Sequence, residues 1–186
     1  VTSEKMVVKL DSSHAFGNGA HPTTQICVDF LEGLYIEGFV PETALDLGSG
    51  SGILSVVCGK LWPEVHVQAI DNEDAAVEAT KKTWNQNNLV GSRLTVESEA
   101  IDENFSINQP ADLICMNILP AILRQSAPAM QKTLAPYGRL ILSGFMEDQV
   151  DSILKSYYAQ GFVAKDLHKQ NGWGGAVLMF AEAEKS

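Results

Sequence analysis

The run Asp46-Leu47-Gly48-Ser49-Gly50-Ser51-Gly52 is the segment best suited to chemistry. Glycines at such a turn let bare main chain approach a ligand that a side chain would exclude. Asp71 follows Gly52 by 19 residues, the reach that sets an acid at the carboxyl end of the next strand. A carboxylate there can accept both hydroxyls of a ribose and would repel a 2′-phosphate. Asp71 or Asn72 would serve equally as a cap for the helix that follows. Asn117 closes another apolar run and is the candidate catalytic residue. Its side-chain carbonyl can orient the N–H of a nucleophile or contact a bound ligand, and a plain turn ahead of Pro120 is the competing reading. A fourth segment, Phe16-Gly17-Asn18-Gly19-Ala20-His21-Pro22-Thr23-Thr24, runs from a glycine-bearing loop into a helix. Free N–H groups at that helix start favour an anion, the Thr24 hydroxyl could add a bond, and His21 is read as fixing the loop.

Those residues need a frame, and the apolar pattern supplies one. Pro22 suits the first position of a helix whose apolar face is Ile26, Cys27, Phe30, Leu31 and Leu34. Thr43–Leu47, Val65–Ile70, Leu94–Val96, Asp112–Met116 and Arg139–Leu142 read as buried strands. Helices are expected after the glycines from Ile53, over Glu73–Asn88 with Val77, Thr80 and Trp84 on one face, from Pro120, and over the stripe Val150, Ile153, Leu154, Tyr157 and Tyr158. Phe162–His168 and Ala176–Phe180 flank an Asn171-Gly172 turn and read as a hairpin. Near-continuous apolar strands alternating with helices predict an α/β, Rossmann-like, doubly wound and mostly parallel sheet of seven strands, with an antiparallel hairpin at its C-terminal end. Residues 1–186 are expected to form a single domain, with 1–40 as a lid loop and helix and 41–186 as the core.

Composition narrows the function. The chain has 186 residues, 45% hydrophobic and 19% charged, enough to bury one core. No apolar run approaches the roughly 18–20 residues that span a bilayer, and Val1–Lys5 does not look like a secretory signal, so a cytoplasmic location with no membrane contact is expected. Three cysteines far apart in sequence (Cys27, Cys58, Cys115) read as buried small hydrophobes, and the four histidines show no metal-ligand spacing. No metal is expected. With 13 Lys and Arg against 23 Asp and Glu, the net charge of −10 argues against direct nucleic-acid binding and leaves a small molecule or a basic protein as partner. Glu97 and Glu99 could reach a purine edge but read better as a solvated loop, and Trp84 and Trp173 as packing.

Ile53 stands where the dinucleotide fingerprint needs its last glycine, so the spacing fits S-adenosyl-L-methionine (SAM) better than NAD. The segments taken together resemble one family, the ribosomal protein methyltransferases of the PrmA type. The matching residues are Phe16-Gly17-Asn18-Gly19-x-His21-Pro22-Thr23-Thr24, Asp46-x-Gly48-x-Gly50-Ser51-Gly52-Ile53-Leu54, Ile70-Asp71, Asn117-Ile118-Leu119 and Leu142-Ser143-Gly144. Asn18 and Ser49 stand where that family usually has Thr and Cys. The resemblance implies SAM contacts at Thr24, Gly48, Asp71 and Asn117, with Gly50 in the same loop and Phe16 and Gly17 in a lid over the ligand. It implies N-methylation of amino groups on a basic protein, a ribosomal protein in that family. The family's separate N-terminal recognition domain has no counterpart here, so the sequence is expected to match the catalytic domain alone. A methyltransferase of another protein or of RNA, and a SAM-binding module without catalysis, are the alternatives.

Overall fold

The computed structural model describes residues 6–10 and 19–182. Phe16 and Gly17, both expected in the lid, lie outside the described residues. Fourteen elements follow in order, two of them single 3-10 turns at Gly91–Arg93 and Glu147–Gln149. The helices are α1 (Pro22–Ile36), α2 (Ile53–Leu61), α3 (Asp74–Gln86), α4 (Pro120–Thr133) and α5 (Val150–Tyr158). The strands are β1 (Thr43–Leu47), β2 (His66–Asp71), β3 (Leu94–Ser98), β4 (Ala111–Asn117), β5 (Leu134–Met146), β6 (Phe162–Gln170) and β7 (Trp173–Phe180). They form one seven-stranded sheet in the order β3-β2-β1-β4-β5-β7-β6. β7 alone runs against the direction of the other six, pairing antiparallel with both β5 and β6, as the Asn171-Gly172 signal predicts. Both turn residues have positive φ, 53° and 81°, the requirement of a tight hairpin turn matched to strand twist.

Alternation along the strands divides the core into two layers. Leu45, Leu47, Ile114, Met116, Leu140 and Leu142 point to one face, where α4 and α5 cover them with Leu123, Met130, Ile153 and Tyr157. Ala44, Val67, Leu113, Cys115 and Ile141 point to the other, under α1, α2 and Trp84 of α3. Both faces are dry, which is why these strands read as unbroken apolar runs. Tyr158 departs from the expected stripe: it is exposed beside the buried Tyr157, since adjacent helix positions face about 100° apart. The three cysteines are buried, free and in the same layer. Burial pushes the Cys27 thiol up, and the Cys58 thiol beside Cys115 does the same to its neighbour, so neither is a ready thiolate.

A short strap, residues 6–10, lies against this second layer through Met6, Val8 and Leu10. The Asn87 side chain ties it down as a strand would. Its Oδ1 accepts from Lys9 N at 2.9 Å, and its Nδ2 donates to Lys9 O at 2.8 Å.

Strand order reverses between β1 and β4. From β1 the chain moves outward through β2 and β3, then returns past β1 to start β4. In open α/β sheets a crevice forms at such a point, at the carboxyl ends of the two strands. The glycine run follows β1, and Asn117 ends β4. The topology thus brings the glycine run and Asn117 to the same end of two adjacent strands.

Candidate functional site

The turn after β1 is held from below. Gly48 N and Ser49 N both donate to Ile70 O, at 2.8 and 3.2 Å, which docks the turn on the end of β2. Gly48, Gly50 and Gly52 all have positive φ, at 75°, 52° and 77°, a region costly to other residues. Their surroundings differ. A Cβ on Gly48 would collide with Ile118 Cγ2, and one on Gly52 would sit 2.7 Å from Thr80 Cα. Those two glycines are therefore small because the protein itself closes on them. At Gly50 a Cβ would meet nothing nearer than Gly48 O at 4.0 Å among the described residues. Of the three glycines expected to admit a ligand, Gly50 is the one on which no other described residue closes.

Asp71, at the end of β2, borders that opening. Its Oδ2 accepts from Gly50 N at 2.9 Å and its Oδ1 from Glu73 N at 3.1 Å. The residue is 9% exposed, enough to be reached. The capping alternative holds only in a weak form, because the N-cap of α3 is Glu73 and no side chain caps it. With one main-chain donor on each oxygen, the carboxylate keeps an acceptor site per oxygen for a diol. Glu97 lies inside β3, and Glu99 N donates to Asp71 O at 3.1 Å. Both side chains are exposed.

Asp46, the first residue of the glycine run, has a role of its own that its place in the motif does not specify. It points inward from β1, is 3% exposed, and accepts from Ser55 N at 2.9 Å and Ser55 Oγ at 2.6 Å. It thus satisfies an orphan amide in the first turn of α2, whose own N-cap is Gly52 and has no side chain to offer. Burial pushes its pKa up to about 6, against the lowering effect of the Ser55 bonds, with the Asp71 charge adding to the rise. The alternation of β1 could have placed it in the interior, but an acid in that slot carries no periodic signal.

At the end of β4, Asn117 Nδ2 donates to Thr24 Oγ1 at 3.4 Å, so two of the expected site residues meet. Thr24 is buried in the first turn of α1. Pro22 takes the first helical position and His21 the N-cap, its Nδ1 accepting from Thr23 N and 2.8 Å from Thr23 Oγ1. The His21 ring also meets Trp173 edge to face, with centroids 4.8 Å apart. His21 therefore has a structural duty, as expected, and Trp173, half-buried against the second core layer, packs on the α1 entrance. Gly19 comes against Ile53, the first residue of α2, which joins this entrance to the glycine turn. Among the described residues no group of three metal-ligating side chains occurs.

The carboxyl ends of β1, β2 and β4 thus carry a glycine turn, an acid and an amide. Residues 1–180 match the family model described as ribosomal protein L11 methyltransferase (PrmA). The chain belongs to the PrmA family. A PrmA-family relative from Brucella abortus (strain S19), named ribosomal protein L11 methyltransferase, is 35% identical over 170 residues, covering 90% of this chain and 59% of the relative. One of the same name from Dictyoglomus turgidum is 31% identical over 170 residues, covering 91% of this chain and 54% of the relative. The chain thus spans little more than half the length of these curated relatives. The crystal structure of a ribosomal protein L11 methylase from Lactobacillus delbrueckii subsp. bulgaricus superposes with a TM-score of 0.83 at 27% identity, covering 94% of this chain and 86% of that one. The N-methyltransferase NodS from Bradyrhizobium japonicum, solved with S-adenosyl-L-homocysteine, shares the fold alone, with a TM-score of 0.68, 16% identity, and coverage of 87% and 89%. The Rossmann-like methyltransferase architecture expected from the PrmA motifs is thereby established.

Proposed function

We propose that this chain binds SAM in the crevice and methylates amino groups of a basic protein, a ribosomal protein such as the relatives' names specify. The observation that carries the reading is the open face of Gly50 with its N–H held by Asp71. That is a place where main chain can lie against a nucleoside while the adjacent carboxylate takes its ribose hydroxyls. Gly48 supports the turn from beneath, and the Thr24 hydroxyl can add a bond to a carboxylate; the free amides expected at the start of α1 are not available, since Pro22 has none and those of Thr23, Thr24 and Gln25 already donate to His21. Phe16 and Gly17 belong to the same reading as a cover over the ligand, and residues 1–40 as lid and helix ahead of a 41–186 core.

SAM supplies a methyl group already activated on a sulfonium. The protein's part is to align an amine with it and keep water out. Asn117 is the residue we assign to alignment. With its nitrogen turned to Thr24, its side-chain oxygen can accept an N–H from the incoming amine and direct the lone pair at the methyl carbon. An attacking lysine must be neutral, against an ordinary pKa near 10.4. A neutral amide serves better at that spot than a carboxylate, which would hold the proton on the amine. The net charge of −10 draws a basic substrate to the surface without placing an anion on the reacting nitrogen. The same charge disfavours direct nucleic-acid contact, and no described helix is long and apolar enough to cross a membrane.

Incubation with methyl-labelled SAM and total ribosomal protein, followed by mass spectrometry, tests the reading. Label on lysine or terminal amines is expected, and label confined to RNA would overturn it. Calorimetric titration should show binding of S-adenosyl-L-homocysteine and none of NAD. Asn117→Ala should lower kcat by about tenfold or more, the loss of one oriented hydrogen bond. It should weaken S-adenosyl-L-homocysteine binding less. Equal losses in both would make Asn117 a ligand-holding residue only.

A further inference from the structure

We infer that Thr80, a residue of α3, sets the shape of the ligand-facing backbone at Gly50, acting through Ser49. The inference rests on the SAM-binding reading and adds a positioning residue to it. Thr80 is fully buried, and Ser49 is nearly so. Their hydroxyl oxygens lie 2.9 Å apart, and Thr80 Oγ1 donates to Gly50 O at 3.4 Å. A hydroxyl has one proton to give. If the Thr80 proton goes to Gly50 O, the Ser49 hydroxyl must donate to Thr80. The result is a one-way chain that leaves the turn at residue 49, passes through α3, and returns to the turn at residue 50.

Its effect falls on one residue. The N–H of Gly50 is fixed by Asp71 Oδ2 at 2.9 Å, and its carbonyl is fixed by Thr80. Both peptide planes that flank the open face are therefore held from outside the turn. Gly52 adds a steric hold, because its Cα packs so tightly on Thr80 that a Cβ would come within 2.7 Å of Thr80 Cα. Contacts from residues 49, 50 and 52 of the turn thus converge on one residue of a different helix. Glycine-rich backbone is costly to order on binding, and pre-setting it removes that cost from the ligand's affinity.

Thr80→Val keeps the shape and removes the hydroxyl, and Thr80→Ser keeps the hydroxyl. Hydrogen exchange on the ligand-free chain should show the Gly50 and Gly52 amides exchanging about tenfold faster in Thr80→Val, with Thr80→Ser close to the starting protein. Ser49→Ala, which removes only the first donor, should give a smaller acceleration at the same amides. In calorimetry, Thr80→Val should raise the Kd for S-adenosyl-L-homocysteine by about three- to tenfold, and Thr80→Ser should restore it. KM for SAM should rise with it while kcat holds, because Thr80 touches no reacting group. Unchanged exchange in both Thr80→Val and Ser49→Ala would overturn the inference, as would an affinity loss that Thr80→Ser fails to rescue. If the unsubstituted chain does not bind S-adenosyl-L-homocysteine, the SAM reading falls, and the exchange measurement still decides the role of Thr80.

Discussion

Asp71→Ala is expected to weaken S-adenosyl-L-homocysteine binding by about a thousandfold. Two charge-assisted hydrogen bonds to ribose hydroxyls, at about 2 kcal/mol each, are lost. The change also strips Gly50 N and Glu73 N of the acceptors that now hold them at 2.9 and 3.1 Å, so the turn loosens as the ligand contact disappears. Asp71→Asn should fall between, since an amide oxygen can still accept from one hydroxyl but brings no charge. Isothermal titration of the three proteins separates these cases. Starting affinity in Asp71→Ala would refute the ribose assignment.

The second large effect concerns stability and pH. Asp46 has its pKa raised from 3.8 to about 6 by burial. A native pKa above the unfolded one means the folded protein holds its proton more tightly over that interval. The stabilisation is therefore complete below about pH 4 and is lost as pH rises through about 6, to a total of about 3 kcal/mol. Asp46→Asn cannot ionise, and its one oxygen can accept both Ser55 donors, as Asp46 Oδ2 does now. Urea denaturation of the two proteins should show similar stability near pH 4, with the Asn variant ahead by about 3 kcal/mol near pH 7. Taking the difference between the proteins cancels the carboxylates that titrate the other way. A difference independent of pH would show that Asp46 is not a buried acid with a raised pKa.

The legible part of this protein was whatever recurs at short range. Apolar runs located the strands of a sheet that is covered on both faces, Pro22 and Pro120 marked helix starts, and Asn171-Gly172 marked the hairpin. β5 was harder, since it begins at Leu134 instead of Arg139. Pro136 and Gly138 interrupt the pattern, and the pairing with β4 slips there, from Ala111 against Leu134 to Leu113 against Arg139. The ligand loop was legible as a motif but not in its division of labour. That Gly48 yields to Ile118 and Gly52 to Thr80, leaving Gly50 open, depends on partners far along the chain. The roles of Asp46, quoted only as part of the motif, and of Thr80, placed on a packing face, are hidden from the sequence for the same reason. Their importance comes from what α2, α3 and the turn bring to them, and no local period encodes that. The meeting of Asn117 with Thr24, 93 residues apart, is of the same kind.

The position of β7 has a consequence for how the chain is made. It is the last of the seven strands to leave a ribosome, yet it lies between β5 and β6, which do not touch each other. Until residues 173–180 emerge, β5 ends the growing sheet with an open edge, and β6 has no strand to pair with. Such edges are where nascent chains misassociate. Synthesis proceeds at about 5–20 residues per second, so this interval is brief, but the sheet cannot close gradually as its earlier strands did. A nascent protein of this topology completes its architecture in one late step, when its final strand slides into a slot that its predecessors have left waiting.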